Sequence, residues 1–201
     1  MIRSRTRPVI FTQLDHARLA GAFALAWRDR PHLPIESFVA GVALHDRGYG
    51  VLDDDDLDTM SEERWLAIQR AGFAPRGENA VVDLVVALHV RRLVGEPRLP
   101  DFEETLPSLL ARARVEEQTA AAADAITEVC DRLALRFCYG EAHSGRARGY
   151  SYELDGAGLI RVDPWPFESP KLNGLIGGFH AAGYPQRLEP LVVPYEVSPW
   201  V

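Results

Sequence analysis

Residues 81–93, reading VVDLVVALHVRRL, limit the possible folds more than any other stretch of the chain. Apolar side chains surround nearly the whole helical circumference, the pattern of a central helix packed on several sides. Asn79 is placed to cap it. Burying His89 there with neither a hydrogen bond nor a metal costs about 1–3 kcal/mol, so it reads either as a site residue or as a hydrogen-bonded core histidine. Asp83 lies off that face and reads as a solvent-facing or helix-start residue. Arg91 and Arg92 read as surface groups, one of which could lean over an anionic substrate.

Residues 37–50, SFVAGVALHDRGYG, carry the clearest chemical signal. Phe38, Val42 and His45 recur at spacings of four and three, so one helical face bears two apolar side chains and then an imidazole. The helix thereby delivers the adjacent His45 and Asp46 to its own end, where Gly48 and Gly50 suit termination and close approach to the backbone. An earlier helix over about 13–27, opened by Thr12 and Asp15 as a capping box, aligns His16, Ala20, Phe23 and Trp27. His16 therefore faces inward, as a core or capping histidine or as a ligand. Far along the chain, Asp131 sits among Val129, Cys130, Leu133, Leu135 and Phe137. An inward aspartate there must pair with a cation or with donors. Asp124, Thr127, Asp131, Ala134 and Cys138 share one strip, which reads alternatively as the polar border of a cavity.

Composition narrows the function classes. With 201 residues, 47% of them hydrophobic, the chain can bury one sizeable core. Its 22 Lys and Arg against 29 Asp and Glu disfavour a binder of polymeric nucleic acid or of an anionic membrane, while leaving room for a local basic pocket. Cys130 and Cys138 match neither a zinc motif nor a disulfide framework, a usage that fits a cytoplasmic protein. The N-terminus lacks an apolar signal core and no stretch approaches 18 uncharged apolar residues, so secretion and membrane spanning are disfavoured. The acidic run at 53–56 has no calcium-loop spacing and reads as a solvated loop.

Helical periodicity continues to about residue 139, enough for five or six helices. They include a short one over about 59–71, with Thr59 and Glu62 as its capping box, a break at 95–100, and a long kinked one over about 108–139. After Gly140 the character changes. Residues 150–154 and 159–162 have strand composition around Asp155-Gly156-Ala157-Gly158, which predicts a hairpin, and 175–184 and 191–197 add two strands. Residues 8–11 read as a short strand or an extended arm. The expectation is a mainly α protein, with a multi-helix body over 1–147 and a small C-terminal β element over 148–201 packed on it.

His16, His45, Asp46, His89 and Asp131 come from four expected helices, and imidazoles with carboxylates suit divalent Fe, Mn, Co, Ni, Zn or Mg. This order resembles the HD superfamily of metal-dependent phosphohydrolases, whose ligands are a histidine on one helix, a His-Asp pair on the next and an aspartate on a late helix. His16, His45 with Asp46, and Asp131 match that order, and His89 matches the additional histidine of two-metal members. A closer resemblance covers nearly the whole chain: Gln13-x-Asp15-His16-x-x-Leu19-x-Gly21 with Trp27, Ala43-x-His45-Asp46-x-Gly48, Leu88-His89, Asp131-x-Leu133 with Cys138, and Pro164-Trp-Pro-Phe167. These are similar to an uncharacterised bacterial family catalogued as domain of unknown function 3891, which implies an HD-like helical fold and a site location without supplying a reaction.

The superfamily resemblance implies that His16, His45, Asp46 and Asp131 hold a metal whose activated water attacks phosphorus. Asp46 would bridge to a second metal or take a proton, and Arg47, Arg91 or Arg92 would neutralise phosphate oxygens. The expected function is hydrolysis of a small phosphorylated metabolite or nucleotide. The expected partner is a small anionic metabolite, and a homo-oligomer is compatible with the sequence. A di-iron oxygenase and a non-catalytic metal-binding, metabolite-binding or structural protein are the alternatives. No P-loop, dinucleotide fingerprint or nucleophile elbow is present.

Overall fold

A computed structural model describes residues 1–51, 55–95 and 101–200. The acidic run at 53–56 and the break at 95–100 lie partly outside these residues. The fold is α/β, 46% helix and 22% strand, around one curled mixed sheet of seven strands. These are β1 (Ile2–Arg3), β2 (Val9–Phe11), β3 (His143–Ala147), β4 (Tyr150–Leu154), β5 (Leu159–Asp163), β6 (Leu172–His180) and β7 (Pro190–Pro199). Their order across the sheet is β1-β2-β6-β7-β5-β4-β3, antiparallel throughout except for β5 beside β7.

This corrects the expectation of a mainly α, HD-like multi-helix protein with a small C-terminal β element. The sheet draws strands from both ends of the chain. β1 and β2 are two and three residues long, too short to show a period of two, and they join the sheet because Val9 and Ile10 pair with His180 and Phe179. Such non-local pairing leaves no periodic trace in the residues that make it. The boundary expected after residue 147 falls in the turn between β3 and β4, and β7 lies between β6 and β5 in the middle of the sheet.

Among the described residues the α-helices are α1 (Gln13–Ala26), α2 (Ile35–Ala43), α3 (Glu62–Phe73), α4 (Ala80–Val94), α5 (Asp101–Ala113) and α6 (Glu117–Tyr139). A 3-10 turn at Arg47–Tyr49 follows α2. α1 is opened by the reciprocal bonds of Thr12 and Asp15, and α4 by Asn79, whose side chain accepts from Val81 and Val82 N–H. Ser61 caps α3 in place of the expected Thr59. The helix expected over 108–139 is divided at Arg114, whose φ of 55° is left-handed, and α5 runs through Pro107. Among the described residues no helix is long and apolar enough to cross a membrane.

α1 and α6 pack on the sheet and on each other, and α4 touches α2, α3, α5 and α6. Phe11, Phe23, Phe38, Phe137 and Phe167 are fully buried in the core between sheet and helices, each contributing about 1.5–3 kcal/mol by leaving water. A second apolar cluster surrounds Leu84, Val86 and Val90 of α4. Two glycines set the helix spacing that the site depends on. A Cβ at Gly21 would lie 2.7 Å from that of Ala43, and a Cβ at Gly41 would lie 2.7 Å from that of Val85, so α1, α2 and α4 meet at backbone distance.

Candidate metal centre

That close approach brings together side chains from four places in the chain. His16 comes from the first turn of α1, His45 and Asp46 from the turn after α2, His89 from α4 and Asp131 from the middle of α6. The ring centroids of His16 and His45 are 5.1 Å apart, and those of His45 and His89 are 4.4 Å apart. The three imidazoles are about 1% exposed, and the two carboxylates are 8% and 11% exposed.

Asp46 Oδ2 lies 3.2 Å from His16 Nδ1 and 3.3 Å from His45 Nε2. Asp131 Oδ1 lies 3.2 Å from His16 Nε2 and 3.6 Å from His45 Nε2. His45 Nδ1–H donates to the Val42 carbonyl at 2.6 Å, which leaves Nε2 as the lone-pair nitrogen of a neutral ring, facing two carboxylate oxygens. His16 Nε2–H likewise donates to the Asp131 carbonyl at 3.3 Å, which turns Nδ1 toward Asp46. His16 Nδ1, His45 Nε2 and His89 Nε2 are buried with no hydrogen-bond partner. Lone pairs facing carboxylates repel unless a proton or a cation lies between them.

A cation fits these spacings. Ligand atoms about 2.1 Å from one ion are about 3.0 Å apart at a right angle and about 3.4 Å apart at the tetrahedral angle. The separations of Asp46 Oδ2 from His16 Nδ1 and from His45 Nε2, 3.2 and 3.3 Å, fall between those values. His16 with His45 and Asp46, and His45 with His89 and Asp131, each form a group able to offer ligand atoms to one ion. Both groups use His45, whose single inward nitrogen serves one ion at a time. The Val42 carbonyl holds His45 in the orientation a ligand needs.

His89 differs from the other two. Arg92 Nη2 lies 3.1 Å from His89 Nδ1, and an Nδ1 that accepts this bond leaves the ring proton on Nε2, 3.4 Å from Asp46 Oδ1. In that tautomer Nε2 carries a proton and is not a metal ligand, and at 3.4 Å it approaches Asp46 without a hydrogen bond.

Without a metal, the cluster behaves as an ion network. Burial presses His45 toward its neutral form, but Asp46 and Asp131 outweigh it and raise its pKa to about 10. His16 is also raised, burial being overcome by Asp131 and Asp46. Burial pushes Asp46 and Asp131 up, yet His45 acting on Asp46 and His16 acting on Asp131 lead the opposing effects that hold both well below the usual carboxylate range. His89 is lowered by burial and by the charge of His45.

Of the three arginines expected to neutralise phosphate, Arg47 and Arg91 fall elsewhere. Arg47 donates from Nε to the Gly72 carbonyl, from Nη1 to Asp83 and from Nη2 to the Ala74 carbonyl, each at 2.9 Å. Asp83, expected at the surface, is buried and also accepts from Arg76 and Gly77 N–H. Arg91 is half-exposed and bonds Glu103 at 2.7 Å. Arg92 is the arginine at the centre, with Nη1 3.8 Å from Asp131 Oδ2 and Nε 3.1 Å from Asp124.

Sequence reasoning missed Glu128 and Arg148. Arg148 Nε bonds Glu128 at 2.6 Å, and its Nη2 lies 3.2 Å from Asp124. The spacing of Asp124 and Glu128, one helical turn apart and three residues before Asp131, was the available signal. Arg148 arrives from the β3–β4 turn with a φ of 49°, and nothing local announces it. Compared with known proteins, the chain matches no family profile, no curated protein and no solved structure.

Proposed function

We propose that this protein is a metal-dependent hydrolase that releases phosphate from a small phosphorylated metabolite or nucleotide. The observation that supports a metal is the convergence of two buried, unpartnered nitrogens, His16 Nδ1 and His45 Nε2, on Asp46 Oδ2 at 3.2 and 3.3 Å, with Asp131 Oδ1 3.6 Å from the same His45 nitrogen. His16, His45, Asp46 and Asp131 would hold the ion, and their nitrogen and oxygen donors suit Fe, Mn, Co, Ni, Zn or Mg. When bound, such an ion supplies Lewis-acid polarisation of a water and of a phosphoryl oxygen. Hydrolysis forms a bond from the water oxygen to phosphorus, breaks the ester P–O bond and gives the departing oxygen a proton. The chain supplies the rest: Val42 and Asp131 main-chain oxygens fix the two imidazoles, and Arg92 brings positive charge beside the reacting phosphoryl group.

The test assays phosphomonoesters, phosphodiesters and nucleotides with several divalent metals, for the parent and Asp131→Asn. Metal-dependent phosphate release that disappears in the variant is expected. Turnover unchanged by Asp131→Asn would remove the site assignment. The near-complete burial of the five side chains favours one second reading, a metal that holds the helices together without turnover. It is distinguished by metal that raises the melting temperature while no ester is hydrolysed.

A further inference from the structure

A cleft of about 500 Å³ opens between α4, α5 and α6, beside the candidate centre. Leu88, Leu106, Pro107, Leu110, Ala120 and Ala121 form its apolar wall. Its volume lies in the range of sites that enclose small organic ligands, about 300–1,000 Å³. The cleft is one side chain away from the centre. Leu88 on its wall precedes His89, and Asp124 on its wall accepts from Arg92, which touches His89 and Asp131. A neighbouring hollow of about 390 Å³ reaches Arg92 itself, along with Leu88, Asp124 and Arg148.

The charges of the cleft indicate which part of a substrate it accepts. Arg91 and Arg148 line it, but so do Glu103, Glu117 and Asp124, and both arginines are paired with acidic side chains. Three carboxylates against two arginines give a phosphate no net attraction inside the cleft. Arg92, itself paired with Asp124 and 3.8 Å from Asp131 Oδ2, lines the neighbouring hollow and stands between the cleft and the candidate ligands. Apolar wall and acidic balance match a molecule whose phosphoryl group stays outside the cleft, at Arg92, and whose organic part is uncharged.

We infer that this cleft is the leaving-group subsite, and that the substrate is a phosphomonoester with an uncharged, largely apolar organic part; this rests on the hydrolase reading. Arg92 is the partition between subsite and centre, and it turns from Asp124 to the phosphoryl oxygens when ester fills the cleft.

The experiment has two arms, each run on the full metal-loaded chain and on Ala121→Trp, which fills the cleft from an exposed position on α6 and leaves the ligands untouched. In the first, alkyl phosphates from ethyl to hexyl are compared, because the leaving oxygen has nearly constant basicity along the series. The expected rise in kcat/KM is about fourfold per methylene in the parent, with a flat series in the variant. In the second, binding of 1-naphthol is followed by fluorescence, which needs no turnover. Binding that is lost in Ala121→Trp, with metal content and circular dichroism retained, is expected. A flat series in the parent, or naphthol binding that is absent or indifferent to Ala121→Trp, overturns the subsite even if phosphate is released. Naphthol bound in the cleft while no ester is hydrolysed takes down the hydrolase reading, and with it the leaving-group assignment.

Discussion

Asp46 and Arg47 are neighbours in sequence and end in two buried charge clusters with opposite character. Arg47 and Asp83 form a closed set: three arginine nitrogens donate, and the carboxylate also accepts two backbone N–H groups. Around Asp46, three imidazole nitrogens are buried with no partner. Both clusters are buried, so burial alone does not separate structure from chemistry. Satisfaction does. The first cluster ties the 3-10 turn to the loop before α4 and needs nothing further, whereas the second is complete only with a proton or a cation supplied from outside.

The largest expected effect is on the satisfied side. Arg47→Ala leaves Asp83 buried without its cation and should lower the unfolding free energy by about 3–5 kcal/mol, read by urea denaturation with and without metal. A loss under about 1 kcal/mol would mean that the network is not closed. On the other side, a divalent ion at 100 times its Kd should stabilise the parent by about 2.7 kcal/mol. His45→Ala and His16→Ala should each abolish that increment. An increment that survives His45→Ala would place the ion somewhere other than this cluster.

Opposing pH dependences sharpen the contrast. In metal-free protein, His45 is raised from 6.5 to about 10, so the stability it contributes is complete below its unfolded value and is lost as pH rises through about 10. Asp46 and Asp131 are depressed, so their contribution is present above the ordinary carboxylate range and is lost as pH falls through their folded values. Metal affinity should instead climb as pH rises, because the ligands must shed protons. Melting curves between about pH 5 and 9, with and without metal, should therefore slope in opposite directions. Parallel slopes would show that the histidines do not bind the ion. The smallest effect is expected at an exposed pair: Arg91→Ala removes the bond to Glu103 and should change stability by less than about 1 kcal/mol.

The residues of the centre were legible because each sits at a conflict between levels. His89 lies in a helix apolar on every side, Asp131 among core residues, and His16 on an inward face. Asp83 is the instructive exception. It occurs in the same apolar helix as His89 and lies equally deep, but its partners come from the turn after α2 and the loop before α4, and no spacing rule connects them. The same limit hid Arg148 and Glu128, joined across twenty residues by the turn between β3 and β4.

The sequence by itself determined the local elements: the Thr12 and Asn79 caps, the central character of α4, the hairpin of β4 and β5, and the polar residues that need company inside the core. Those are set by neighbours within a turn or two of the chain, where steric and hydrogen-bonding preferences act directly. Only the tertiary structure decided that two short N-terminal strands belong to the same sheet as the C-terminal one, and which buried charges are satisfied. Sheet pairing and charge satisfaction both depend on groups brought together from separate elements of the chain, and their energy exists only once the core has closed around them.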